Sequence, residues 1–266
     1  MLVWTVSNQK GGVGKTTTTV ALGGLAAEEG RRVLLIDLDP HASLSAYFRQ
    51  DPDAPGNSVY SLFESHESLN RQRVHACILP TQFNNISLVK ASTLLATLER
   101  QSIGKGRGLV LSKALECIRE DFDLVIADCP PQLGVLMVNA LAACQQLIIP
   151  VQTEFLSIKG LDRILHTLVM MSQSQNKAFQ YLVVPTMFDR RTHASVSSLR
   201  TIRYQYGEKV WPGMIRVDTR LRDASKAGVP PGDFDPESRA VEDYQSLYKY
   251  LKGSEVQLEP LSGAVR

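Results

Sequence analysis

Short apolar runs alternate along this chain with longer stretches in which apolar positions recur every three or four residues. Residues 2–6, 32–36, 86–89, 124–127, 146–151 and 181–184 are short and apolar, and they read as strands. The run RVLLI at 32–36 is apolar at every position after its first residue, as expected of a strand covered on both faces. Residues 16–29, 108–120, 156–171, 195–206 and 239–252 carry the longer period and read as helices. The first of these ends at Gly30, a residue suited to the left-handed position just past a helix C-terminus. The last carries Ala240, Val241, Tyr244, Leu247, Tyr248 and Leu251 as one stripe. This alternation predicts an α/β fold with a mostly parallel central sheet and helices on both faces. QDPDAPGN at 50–57 and VPPGDFDPE at 229–237 read as exposed loops. The alternation continues across both, so 1–266 reads as a single domain, with 253–266 expected as a flexible tail.

Composition narrows the picture. At 266 residues and 44% hydrophobic, the chain can bury a large core. Lys and Arg number 29 against 27 Asp and Glu, which excludes a polycation that binds nucleic acid by bulk charge. No run of 18 apolar residues predicts a membrane span, and the N-terminus does not read as a secretion signal, so a cytoplasmic protein is expected. Cys77, Cys117, Cys129 and Cys144 form no CxxC pair and no close His completes zinc spacing, so they read as buried, reduced thiols.

The strongest chemical signal is Lys10-Gly11-Gly12-Val13-Gly14-Lys15-Thr16, placed between the first strand and the first helix. Glycines let backbone N–H groups close around phosphate oxygens, and the helix N-terminus adds partial positive charge. Lys15 is expected to reach the β- and γ-phosphates and the Thr16 hydroxyl to coordinate Mg²⁺. The generic phosphate-loop pattern fails, because Gln9 stands where its first glycine belongs. What is present is the variant with an extra lysine, KGGxGK[ST].

With its neighbours Asn8, Gln9 and Thr17, this segment resembles the opening of the ParA/MinD superfamily of deviant Walker A ATPases. VLLIDLDP at 33–40 resembles the second motif of that family, LVIADCPP at 124–131 its Walker B motif, and PVQTE at 150–154 its nucleotide loop after the strand. The resemblance continues through MFDRRT at 187–192. It implies a P-loop ATPase, with ATP and Mg²⁺ as cofactors. Gly11, Gly12, Val13, Gly14, Lys15, Thr16, Thr17, Glu154 and Met187 would contact the nucleotide. Thr16, Asp37 and Asp128 would hold the metal, and Asp39 would orient the attacking water. Lys10 is the signature lysine, which in this family reaches a partner's phosphates and so implies an ATP-bound homodimer.

Within the superfamily, the tail GSEVQLEPLSGAVR lacks the basic amphipathic character of a MinD-like anchor, so no membrane partner is expected. Lys10 argues against the ligase- and amidase-like relatives, which remain an alternative, as does a MinD-like membrane-associated positioning ATPase. Residues 186–226 hold nine Lys or Arg against four Asp or Glu, a local excess of +5 in a chain of net +2. Arg191 and Arg220 match the DNA-contacting arginines of ParA-like members, which implies non-specific DNA as a partner. A protein adaptor of ParB or ParP type is implied as well, with localisation at the nucleoid or a pole. Residues 8–48 also look like the ParC subgroup that positions chemotaxis clusters. Two departures stand out: Arg216 where relatives carry proline, and His41-Ala42 where they carry Gln-Gly.

Overall fold

The computed structural model describes residues 1–100, 107–175 and 178–255. The strands are β1 (Leu2–Val6), β2 (Val33–Asp37), β3 (Ile78–Pro80), β4 (Ile86–Val89), β5 (Leu124–Asp128), β6 (Gln146–Gln152) and β7 (Tyr181–Thr186). They form one seven-stranded sheet in the order β3-β4-β2-β5-β1-β6-β7. All pairings are parallel except β3 on β4, which closes one edge antiparallel. The helices are α1 (Lys15–Glu28), α2 (Ser43–Tyr47), α3 (Val59–Glu64), α4 (Arg71–His75), α5 (Leu95–Glu99), α6 (Val110–Cys117), α7 (Val135–Ala143), α8 (Phe155–Gln175), α9 (His193–Tyr206), α10 (Arg220–Ala227), α11 (Pro231–Phe234) and α12 (Arg239–Glu255).

Strand periodicity sorts the core into two layers. Trp4, Val6, Val33, Leu35, Leu124 and Ile126 face α1 and the Tyr244, Leu247, Leu251 stripe of α12. Their neighbours Val3, Leu34, Ile36, Val125 and Ala127 face the other way, against α3, α6 and α7. Leu147, Ile149 and Val183 extend that second layer toward α8 and α9. Alternate residues of a strand point to opposite faces, and here both faces are covered, which explains the near-continuous apolar runs.

Several elements depart from the pattern reading. The segment 229–237 contains α11, and residues 108–120 divide into a 3₁₀ turn (Arg107–Leu109) and the shorter α6. The last helix runs on to Glu255, whose carboxylate pairs with Arg31 at 2.7 Å, so 253–255 are helical; the remainder of the expected tail lies outside the described residues. Cys77, Cys129 and Cys144 are buried, Cys117 is half-buried, and none of the four forms a disulfide.

Candidate functional site

The site forms at the C-terminal ends of β1, β2 and β5, where Asp37 and Asp128 are register partners on adjacent strands. The chain leaves β1 and turns through the glycine loop into α1. Gly12 (φ 74°) and Gly14 (φ 92°) adopt left-handed conformations that a side chain would strain. Gly14 is also the N-cap of α1 and offers no side-chain cap, so the first N–H groups of the helix are left for an anion. A Cβ built on Gly11, Gly12 or Gly14 would meet nothing within 4 Å. The glycines therefore serve the backbone path and keep the space above the loop clear.

The loop is braced from below. Asn8 is fully buried; its Nδ2 donates to the Pro150 carbonyl at 2.7 Å and its Oδ1 accepts from the Lys10 N–H at 3.0 Å. The Thr186 hydroxyl donates to the Val13 carbonyl at 2.9 Å, tying β7 to the loop. The Lys15 ammonium folds back on the Lys10 carbonyl at 3.2 Å, spanning the loop where phosphates would lie. Lys10 itself turns outward: its ammonium is held by Glu154, donates to Ser157 Oγ at 2.9 Å and reaches Gln152 Oε1 at 3.5 Å.

Three carboxylates flank the loop. Thr16 Oγ1 donates to Asp128 Oδ2 at 2.6 Å, while Asp128 Oδ1 is buried without a hydrogen-bond partner. Asp37 Oδ2 accepts from both the N–H and the hydroxyl of Ser45 at 2.7 Å, and its Oδ1 accepts from the Asp39 N–H at 3.1 Å. Asp39 Oδ1 accepts from the His41 N–H at 3.0 Å and lies 2.8 Å from His41 Nδ1. Burial raises Asp37 to about 7; burial, with the Asp37 charge beside it, raises Asp128 to about 8. Two adjacent buried acids with one orphaned oxygen and a hydroxyl make a site that a divalent cation would stabilise. Among the described residues no group of three His, Cys, Asp or Glu could hold a metal by itself. That donor set suits Mg²⁺, which binds through one or two protein oxygens together with substrate phosphates.

A cavity of about 430 Å³ opens beside the loop, lined by Val13, Gly14, Thr17, Met187, Ile215 and Tyr244 among others. Met187 borders it with a left-handed backbone (φ 51°). Glu154 does not line it; its carboxylate faces Lys10.

The comparisons agree with this geometry. A family profile described as AAA domain matches residues 1–181. Sporulation initiation inhibitor protein Soj of Bacillus subtilis is 34% identical over 246 residues, covering 92% of this chain and 95% of Soj. Chromosome partitioning protein ParA of Myxococcus xanthus is 31% identical over 248 residues, covering 92% and 86%. This chain is a ParA-like ATPase of the ParA/MinD superfamily. Among solved structures, cobyrinic acid a,c-diamide synthase from Mycobacterium smegmatis, with bound ADP and magnesium, matches with a TM-score of 0.81 at 30% identity, over 98% of this chain and 99% of that one. Apo McdA of Cyanothece matches at 0.79 and 20% identity over 92% and 98%, a likeness of fold.

The ParA-like core also shows what pattern reading missed. Ser45, Ser157, Thr186 and Tyr244 all brace the site, and Thr186 and Tyr244 lie far in sequence from Val13 and Thr18, which they hold. Ser45, eight residues after Asp37, and Ser157, three residues after Glu154, carried a local signal. Arg216 does not enter the cavity as a free cation. Its backbone N–H and Nε each donate to Asp243 Oδ2, at 2.9 and 2.8 Å, and Nη2 reaches Glu242 at 3.2 Å. The two arginines matched to DNA contacts are both exposed and both paired: Arg191 with Asp189 at 2.8 Å, and Arg220 with Asp235 at 3.1 Å.

Proposed function

We propose that the protein is an ATP-driven switch that dimerises on ATP, grips DNA without sequence preference through its basic face, and positions or segregates a cargo. The observation that carries this reading is the outward Lys10. Lys15 already spans the protein's own phosphate loop, so a second ammonium at the rim, 30% exposed and held only by side chains, is free to move to a partner's nucleotide. A shared pair of nucleotides then makes dimerisation conditional on ATP.

Within each half, the amides from Gly11 to Thr16 would cradle the phosphates and Lys15 would offset their charge. Thr16 and Asp128 would hold the metal, with Asp37 held beside them by Ser45, and magnesium, when bound, would offset the negative charge of the phosphates. Asp39 would orient the attacking water, with His41 on its Oδ1 leaving Oδ2 for that task. Met187 and Tyr244 would flank the base. An adaptor of ParB or ParP type would reset the switch by raising turnover, and the protein would work in the cytoplasm at the nucleoid or a pole, with plasmid, chromosome or chemotaxis cluster as cargo.

Retention on duplex DNA of arbitrary sequence, measured with ATP, with ADP and without nucleotide, tests this. Retention with ATP alone supports the switch; equal retention in all three states contradicts it.

A second reading rests on the diamide synthase likeness: ATP-dependent amidation of a small carboxylic acid. Cys129, Cys144 and Cys77 are buried, burial holds the Cys129 thiol far above its ordinary range, and none of the four cysteines, the half-buried Cys117 included, lines the nucleotide cavity, so none is poised there as an amide-transfer nucleophile. ATP consumption that depends on an added small carboxylic acid would favour this reading over the switch.

A further inference from the structure

The ion pairs of Arg191 and Arg220 raise the question of which cations of the basic face remain available. Arg190 and Arg239 are exposed, and among the described residues neither guanidinium meets an acid. Both open onto one groove of about 230 Å³, lined also by Phe188, Asp189, Arg191, Arg216 and Val217. Four arginines thus surround a space large enough for a phosphate and its bridging sugars.

They divide by mobility. Arg191 is fixed by Asp189, which accepts from its backbone N–H, its Nε and its Nη2. Arg216 is fixed by Asp243 and Glu242, and its Nη2 also donates to the Arg239 carbonyl at 2.9 Å. These pairs hold two guanidiniums at the wall, so little ordering cost remains when an anion arrives. Arg190 and Arg239 are free to close over it.

We propose that this groove is the seat of a DNA backbone phosphate, gripped by Arg190 and Arg239 and walled by the paired Arg191 and Arg216. The inference rests on the DNA-gripping reading and names the residues that grip. The charge balance supports it. Four arginines against Asp189, Glu242 and Asp243 leave +1, and removing the two unpaired arginines turns the groove negative. The groove also shares Arg216 and Val217 with the nucleotide cavity, so both ligands lean on one wall. The Phe188–Arg216 bridge, with the Phe188 N–H donating to the Ile215 carbonyl at 3.0 Å, builds that wall.

The test is filter binding of the ATP-loaded protein to duplex DNA of arbitrary sequence, over salt from about 50 to about 200 mM. Wild type, Arg190→Ala/Arg239→Ala, Arg190→Lys/Arg239→Lys and Arg191→Ala are compared, with ATP binding followed in each. The alanine pair is expected to lose affinity at least tenfold and to flatten the salt dependence by about 2 in log–log slope, one phosphate per groove and two grooves in a dimer. The lysine pair keeps the charges and most of the slope, Arg191→Ala loses less than the alanine pair, and ATP binding is unchanged throughout. If wild type binds DNA and the alanine pair binds equally well, the seat is wrong and the DNA reading stands. A lysine pair as defective as the alanine pair means lost packing and also overturns the seat. Wild type that retains no DNA at the lowest salt overturns both.

Discussion

Lys15 and Thr16 show how much a single residue can carry. Their placement at the loop and the start of α1 was legible in sequence, and the roles proposed for them rest on phosphate chemistry, which demands a cation and a hydroxyl at that spacing after a strand. Lys15→Ala and Thr16→Ala are expected to reduce ATP turnover at least about 100-fold, the scale on which single electrostatic contacts to a reacting centre act; a phosphate-release assay measures it. The environment of the acids was not legible, because the burial that raises Asp128 comes from strands distant in sequence. An acid raised in the folded state binds a proton there that it has lost in the unfolded chain. Its stabilising share is full below about pH 4 and is lost as pH rises through about 8. Asp128→Asn, which stays neutral, is therefore expected to melt at least about 3 °C above the metal-free wild type at pH 8. The gap should close toward pH 5. A gap that widens on acidification would contradict the burial of this charge.

Apart from the three-residue β3, the strands and the long helices declared themselves at the scale of elements, because they complete at least two full periods of their pattern. α2, α3, α4 and α5 span five or six residues each and do not. α7 was missed for another reason: VLMVNALAA is apolar on nearly every side, so it shows no stripe. Pattern reading also cannot show how closely elements approach. A Cβ on Gly24 of α1 would stand 2.9 Å from Cβ of Pro230, just before α11. Gly24→Ala would gain up to about 1 kcal/mol of helix propensity but meet an overpacking cost of about 1–3 kcal/mol, because a proline ring cannot rotate away. A net loss of thermal stability with unchanged ATP affinity is expected, measured by a melting curve beside a nucleotide titration.

The parallel sheet with its phosphate loop was legible across the whole molecule; the way Lys10 is held was not. Glu154 and Ser157 lie almost 150 residues from it, and only β1 beside β6 brings them together. The composition of the basic face was legible too, but not which of its arginines the fold had already paired. The holding of Lys10 bears on assembly. Glu154→Gln weakens a hold on the lysine that a partner must compete with, so ATP-dependent association is expected at lower protein concentration than for wild type, by sedimentation. The most direct test is light scattering of Asp39→Ala, which should bind ATP without consuming it. With ATP the account predicts about twice the 29.4 kDa chain mass, and a return to 29.4 kDa with ADP or when Lys10→Ala is added. An ATP-loaded Asp39→Ala protein that stays at 29.4 kDa at micromolar concentration would contradict the switch.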